Sequence, residues 1–227
     1  MATRHTFIIL AAAMALGWAG MAGAATTGVV NDIQALIDAC EDAALLELPP
    51  VLCQQFPATG QTTVYRPGDD GDVQAGATPD YTDNGDGTIT DNNTRLQWAK
   101  KSSDGSIHDV DNTYTWEDAF AVYVAGLNTA NFAGHNDWRL ANAKELQSIV
   151  NYQNVGPAVS AAFNTGCAAN CTVTTCSCTA ASNYWSSTTS ANEPAFAWLV
   201  NFEFGFVVAR NKSDERHVRA VRGGLDD

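Results

Sequence analysis

Basic residues are what this 227-residue chain has least of: 12 Lys and Arg stand against 25 Asp and Glu, a formal net charge of −13. That balance excludes phosphate-backbone binding as the main task, because nucleic-acid binders present basic surfaces. It also disfavours purely electrostatic attachment to anionic lipid. Charged residues are scarce altogether at 16%, yet the hydrophobic share of 45% is ordinary, so the chain can bury a core and wholesale disorder is not expected. Metal-ligand spacing is missing as well: His108, His135 and His217 are scattered, none near another His or a Cys in a ligating pattern. There is no Gly-rich phosphate loop, nucleophile elbow or zincin motif. Glu117-Asp118 suits a helix start, so glycosidase carboxylates are not needed. No catalytic residue set and no cofactor are expected, and the chain reads as non-enzymatic.

Long apolar runs are confined to the start. Arg4 and His5 precede Phe7-Ile8-Ile9-Leu10, an Ala-rich stretch follows, and Ala22-Gly23-Ala24 closes it. A charged lead, an apolar run and a small-x-small site form a secretory signal over residues 1–24. The run is too short to span a bilayer comfortably, and no later stretch is long and apolar enough to do so. Cleavage removes Arg4 and leaves 11 basic against 25 acidic residues, or −14. The expected location is secreted, periplasmic or at the cell surface.

In an oxidising compartment an even set of cysteines reads as disulfides. Cys40 and Cys53 stand alone and are expected to pair. Cys167, Cys171, Cys176 and Cys178 crowd a Thr/Ala/Asn-rich stretch. A zinc reading finds no nearby His, and Cys-x-Cys lacks the usual two-residue ligand spacing, so two disulfides stapling a long loop are expected. Four cysteines allow three pairings, and a strained Cys176–Cys178 bond removes one, leaving two.

Residues 25–57 hold one amphipathic helical segment, with Ile33, Leu36, Ile37, Cys40 and Ala44 on a helical period ended by Pro49-Pro50. Residues 58–80 are rich in Gly, Asp, Thr and Pro and read as a lead-in or linker. The main domain is expected over 81–224. Turn residues Asp83 to Gly87 and Asp91 to Asn93 flank two short antiparallel strands. Helices start at Thr115, with Trp116, Ala119, Phe120, Tyr123, Val124 and Leu127 on one face, and at Asn142, with Leu146, Ile149 and Val150 inward. Strands follow at Tyr184–Thr189, Phe196–Phe202, Phe206–Arg210 and Arg216–Arg222. The order predicts an α+β layout, a mostly antiparallel sheet flanked by two helices with a long disulfide-stapled loop.

Asp83-Asn84-Gly85-Asp86-Gly87-Thr88-Ile89-Thr90-Asp91, Trp116-Glu117-Asp118-Ala119, Asp137-Trp138-Arg139-Leu140, Lys144-Glu145-Leu146-Gln147-Ser148, Tyr184-Trp185-Ser186-Ser187-Thr188 and Val218-Arg219-Ala220-Val221-Arg222 follow one another in this order. That chain of motifs resembles the Lcl C-terminal domain family, named for the C-terminal domain of a bacterial collagen-like adhesin. Counting the lead-in, the likeness spans residues 58–224. A Gly usually stands where Arg95 is, and a Pro where Ala141 is. The resemblance implies a C-type-lectin-like domain, distantly similar to the formylglycine-generating enzyme fold, with a role in surface binding or adhesion.

For a ligand, three groups of residues compete with plainer readings. Asp83, Asp86 and Asp91 are a weak calcium candidate, but an EF-hand register fails and a hairpin turn explains them. Trp198, on a stripe with Phe196 and Phe202, reads as core, whereas Trp185 beside Asn183 and Ser186 is a candidate platform for a polyol. Arg210, Lys212, Arg216, Arg219 and Arg222 put five basic residues within thirteen positions. Arg forks suit sulfate, carboxylate or phosphate, and pairing with Glu203, Asp214 and Glu215 is the plainer alternative. The candidate site is therefore Asn183, Trp185, Ser186, Arg210, Lys212 and Arg216. The function expected is exported binding of a carbohydrate or polyanionic surface ligand. The alternatives are an oxidoreductase using the Cys cluster, and a component of an envelope assembly whose ligand is another protein; oligomerisation is open.

Overall fold

The computed structural model describes residues 56–223, so the signal, the amphipathic helical segment and Cys40 and Cys53 lie outside the described residues. The architecture is α+β, with antiparallel sheets and few helices. Strands β1 (Tyr81–Asp83), β2 (Thr88–Asp91), β3 (Leu96–Ala99), β4 (Arg139–Leu140) and β8 (Ala220–Gly223) form a five-stranded sheet in the order β1-β2-β3-β8-β4. Strands β5 (Asn183–Thr189), β6 (Phe196–Asn201) and β7 (Val207–Asn211) form a second sheet in sequence order. Two sheets thus replace the single one expected.

Local chemistry sets the hairpins. Asp83 accepts from the Gly85 amide and Asp86 from the Thr88 amide and hydroxyl, which shapes the turn between β1 and β2. Asp91 closes the next turn by accepting from Asn93 and Thr94. Arg95 at its end has φ +62°, a left-handed conformation that a Cβ disfavours. Arg95 thus occupies a position whose backbone favours glycine.

The first helical stretch is continuous but not regular. It runs as α2 (Trp116–Asp118), a π-helical segment Ala119–Val124 and α3 (Ala125–Thr129), after a short α1 at Asp70–Val73. Thr115 caps it by accepting from the Asp118 amide. Ala119, Tyr123 and Leu127 are fully buried, as the periodicity predicts. The second helix, α4 (Ala143–Ser148), is shorter than its pattern suggests. Asn142 and Glu145 form a reciprocal capping box at its start.

Two apolar clusters tie the elements together. One gathers Ile89, Trp98, Leu146, Ile149, Phe163, Tyr184 and Phe202. The other gathers Tyr123, Leu127, Trp138, Leu140, Trp185 and Leu199. Each large side chain buried in this way contributes about 1.5–3 kcal/mol of transfer free energy.

One expectation needs correction. Arg216–Arg222 is not one strand: Arg216 bridges Tyr114, His217 bridges Tyr184, and the chain then crosses into β8 of the other sheet. This segment stitches the two sheets together. Residues 58–63 of the lead-in pack against the domain. Thr59 O accepts from the Tyr152 amide, and Gln153 accepts from the Thr62 and Thr63 amides, so the lead-in lies along residues 151–153.

Candidate functional site

The basic segment disperses. Alternation along β7 brings Val208, Arg210 and then Lys212 to one face. Val208, like Trp116 and Phe120, is partly buried against the second cluster. Lys212 Nζ lies 3.8 Å from the centre of the Trp116 ring and donates to Thr189 Oγ1 at 2.8 Å. Trp116 is fixed in turn: its Nε1 donates to Ser186 O at 2.9 Å, and Phe120 meets it edge-on at 4.7 Å. Arg210 is exposed and donates only to its neighbour's carbonyl, Ala209 O. Neither Arg210 nor Lys212 forms an ion pair among the described residues. Arg216 does, with Asp214 at 2.8 Å, and Arg222 pairs with Asp137 at 2.7 Å.

The other half of the expected site lies in the interior. Trp185 is fully buried opposite Leu199, its Nε1 donating to Tyr114 O at 3.1 Å. Ser186 is also fully buried, and its hydroxyl donates to Trp198 O at 2.6 Å. Asn183 is half-buried and accepts from Asn201 Nδ2. Trp185 therefore offers no stacking face, and Asn183 Oδ1 and the Ser186 hydroxyl are engaged by β6. Trp198, read as core, is 37% exposed. The roles of the two tryptophans are exchanged because Trp185 pairs with Leu199 on the face turned to the core, while Trp198 pairs with Ala209 on the opposite face. Both faces carry apolar residues, so periodicity alone does not say which one is covered.

Asp83, Asp86 and Asp91 do not converge. Asp83 pairs with Lys100 at 2.7 Å, and the other two carboxylates serve the turns already described. Among the described cysteines the pairing is Cys167–Cys178 and Cys171–Cys176, one of the two left open by spacing. The Lcl C-terminal domain family matches residues 87–222 of the chain, which hold both helical starts and strands β2 to β7. The chain belongs to this family. No curated protein is similar enough to count as a relative. The Lcl family is adhesin-like, which agrees with a non-enzymatic surface protein. Among the described residues no helix is long and apolar enough to cross a membrane.

Two features of this Lcl domain escaped sequence reasoning. The first is a groove of about 840 Å³ whose wall includes Leu96, Val150, Tyr152 and Lys144, with the Arg139–Glu145 ion pair beside them. Its lining comes from distant segments, so no local pattern announces it. The second is a pair of buried cations. Lys101 and Arg219 are fully buried, and neither forms an ion pair among the described residues. Arg219 donates to Ala99 O, Cys178 O and Thr179 Oγ1 at 2.7–2.9 Å. Lys101 Nζ finds no hydrogen-bond partner and sits 4.7 Å from the centre of the Tyr123 ring. Burial, and secondarily the charge of Arg219, pulls the Lys101 ammonium down to about 7. His108 is pulled down to about 4, mainly by burial and then by Lys101.

Proposed function

We propose that this chain is an exported adhesion module that recognises an anionic glycan, sulfated or carboxylated, on a surface. The adhesin-like family and the antiparallel α+β layout support a C-type-lectin-like binding domain. One observation carries the choice of ligand. In a protein of net −13, Arg210 and Lys212 share a strand face without an acidic partner, and Lys212 is held over the indole of Trp116. Arg forks bind sulfate and carboxylate, and the rim of a fixed aromatic surface suits a sugar ring. Trp116 replaces Trp185 in this reading. The four described cysteines are all paired, which leaves the oxidative alternative without a thiol there.

A glycan array at low salt, with sulfated, carboxylated and neutral members, tests it. Binding confined to the charged members is expected, weakening as salt rises. Replacing both cations (Arg210→Ala with Lys212→Ala) is expected to raise Kd by about tenfold or more, since each rim contact contributes about 1 kcal/mol. Folded protein that ignores charged glycans at low salt, or that binds them equally well without the two cations, overturns the reading.

A further inference from the structure

The second sheet ends on a strand that no other strand covers. β7 is last in the order β5-β6-β7, and no bridge reaches it from elsewhere among the described residues. The opposite margin of this sheet is closed: the Trp185 amide donates to His217 O, the His217 amide to Asn183 O and the Ser187 amide to Ala141 O. In the other sheet the outermost strands are β1, of three residues, and β4, of two. β7, with five, is the longest open edge among the described residues. Such an edge is a template for pairing with a further strand.

The register says which backbone groups face outward. The Asn201 amide donates to Phe206 O, and the Lys212 amide donates to Ala195 O, so both ends of this segment bond toward β6. In an antiparallel ladder the direction alternates along the strand. Val208 and Arg210 therefore also bond to β6, while Val207 and Ala209 point their N–H and C=O groups away from it. Both outward residues are only half-buried. Ala209 O holds a partner of its own, the exposed guanidinium of Arg210 at 3.0 Å.

The side chains beside the edge choose the occupant. On one face stand exposed Phe206, then Arg210 and Lys212, the last two without an ion pair among the described residues. On the other face Ala209 lies opposite exposed Trp198, and its small methyl group leaves the indole within reach of a large side chain from a neighbouring strand. β7 itself carries no acid. A second copy would bring a second Arg210 and Lys212 to the joint with nothing from either strand to balance them. An acidic strand balances them. A carboxylate is also a stronger acceptor for a guanidinium than a carbonyl is, so it draws Arg210 away from Ala209 O and frees that oxygen for an incoming amide.

We propose that the edge of β7 takes up an extended acidic peptide as an added strand, with its acids alternating toward Arg210 and Lys212 and its bulky residues toward Trp198. The site uses the outward backbone of Val207 and Ala209, so it does not depend on the glycan reading.

Fluorescence polarisation with a labelled synthetic peptide of about eight residues, alternating glutamate and tyrosine, tests this. Saturable binding is expected, and at least about tenfold weaker binding when lysine replaces glutamate or when the same residues are arranged in two blocks. Two further peptides, N-methylated on every glutamate or on every tyrosine, read the ladder on the unaltered protein. A strand offers alternate amides to its neighbour, so one is expected to bind like the parent and the other about tenfold or more weakly. Ala209→Pro removes an outward N–H and spares the bonds to β6. It is expected to weaken the peptide about tenfold with an unchanged circular dichroism spectrum, and to leave binding to charged glycans as it was. Arg210→Glu is expected to abolish the preference for glutamate over lysine. Folded protein without saturable binding overturns the proposal, as does equal binding of the two N-methylated peptides. A dimer in sedimentation that Ala209→Pro dissolves overturns it in favour of a second copy.

Discussion

Arg210 and Arg219 belong to one basic stretch and end in opposite surroundings. Arg210 projects from β7 into solvent and touches only its neighbour's carbonyl. Arg219 is fully buried, with three acceptors from two separate segments around its guanidinium. The difference comes from the crossing between sheets at Arg216–Val218, which carries the chain from the rim of one sheet to the middle of the other. A run of charge in sequence is therefore not a patch in space. One part of the run supplies structure, and another is left available to a ligand.

The contrast can be broken at its structural end. Arg219→Ala leaves Ala99 O and Cys178 O without their donor and opens a void beside Phe163, over whose ring the guanidinium lies. A loss of about 3–5 kcal/mol is expected, read as a drop in the denaturant midpoint. A loss below about 1 kcal/mol would show that the core tolerates its absence.

Lys101 sharpens the same contrast through pH. Its ammonium titrates near the usual 10.5 when unfolded and at about 7 when folded. Between these values the unfolded chain holds a proton that the folded chain refuses, so acidification through this window costs stability and the cost levels off below about 7. Melting temperature is expected to rise from pH 7 to pH 9, with a ceiling of about 1.4 kcal/mol per pH unit. Above about 10 the buried Tyr123 opposes the trend, because burial raises its hydroxyl well above the ordinary value. Lys101→Met is expected to flatten the rise. A wild-type melting temperature that does not change from pH 7 to 9 would show that Lys101 keeps its proton in the fold.

The smallest effects belong to the surface. Arg222→Ala removes a pair with Asp137 and a bond to Gln97 at the edge of β3, and about 0.5–1 kcal/mol is expected. Arg210→Ala is expected to change stability by less than about 0.5 kcal/mol while weakening binding to charged glycans. Equal destabilisation by the two would remove the distinction between a structural and a free arginine.

Much of the fold was legible in local patterns. Thr115 and Asn142 announced helix starts, the Asp/Asn/Gly turns announced hairpins, and the spacing of Ala119, Tyr123 and Leu127 announced the buried helical face. Trp185 and Trp198 were not separable, because β6 and its neighbours carry apolar residues on both faces. Lys101 was invisible for a related reason: a lysine beside Lys100 reads as solvated, and only packing against Tyr123 and the Cys-rich loop encloses it.

The sequence by itself determined the family, the α+β class, the acidic balance, the turns, and the choice of cysteine pairing down to two. Those follow from short-range steric and hydrogen-bonding preferences, which act between residues close along the chain. Tertiary structure alone decided which tryptophan is buried, which basic side chains are free and which are enclosed. These depend on which segments are brought face to face, and burial then sets what each polar group costs or can bind.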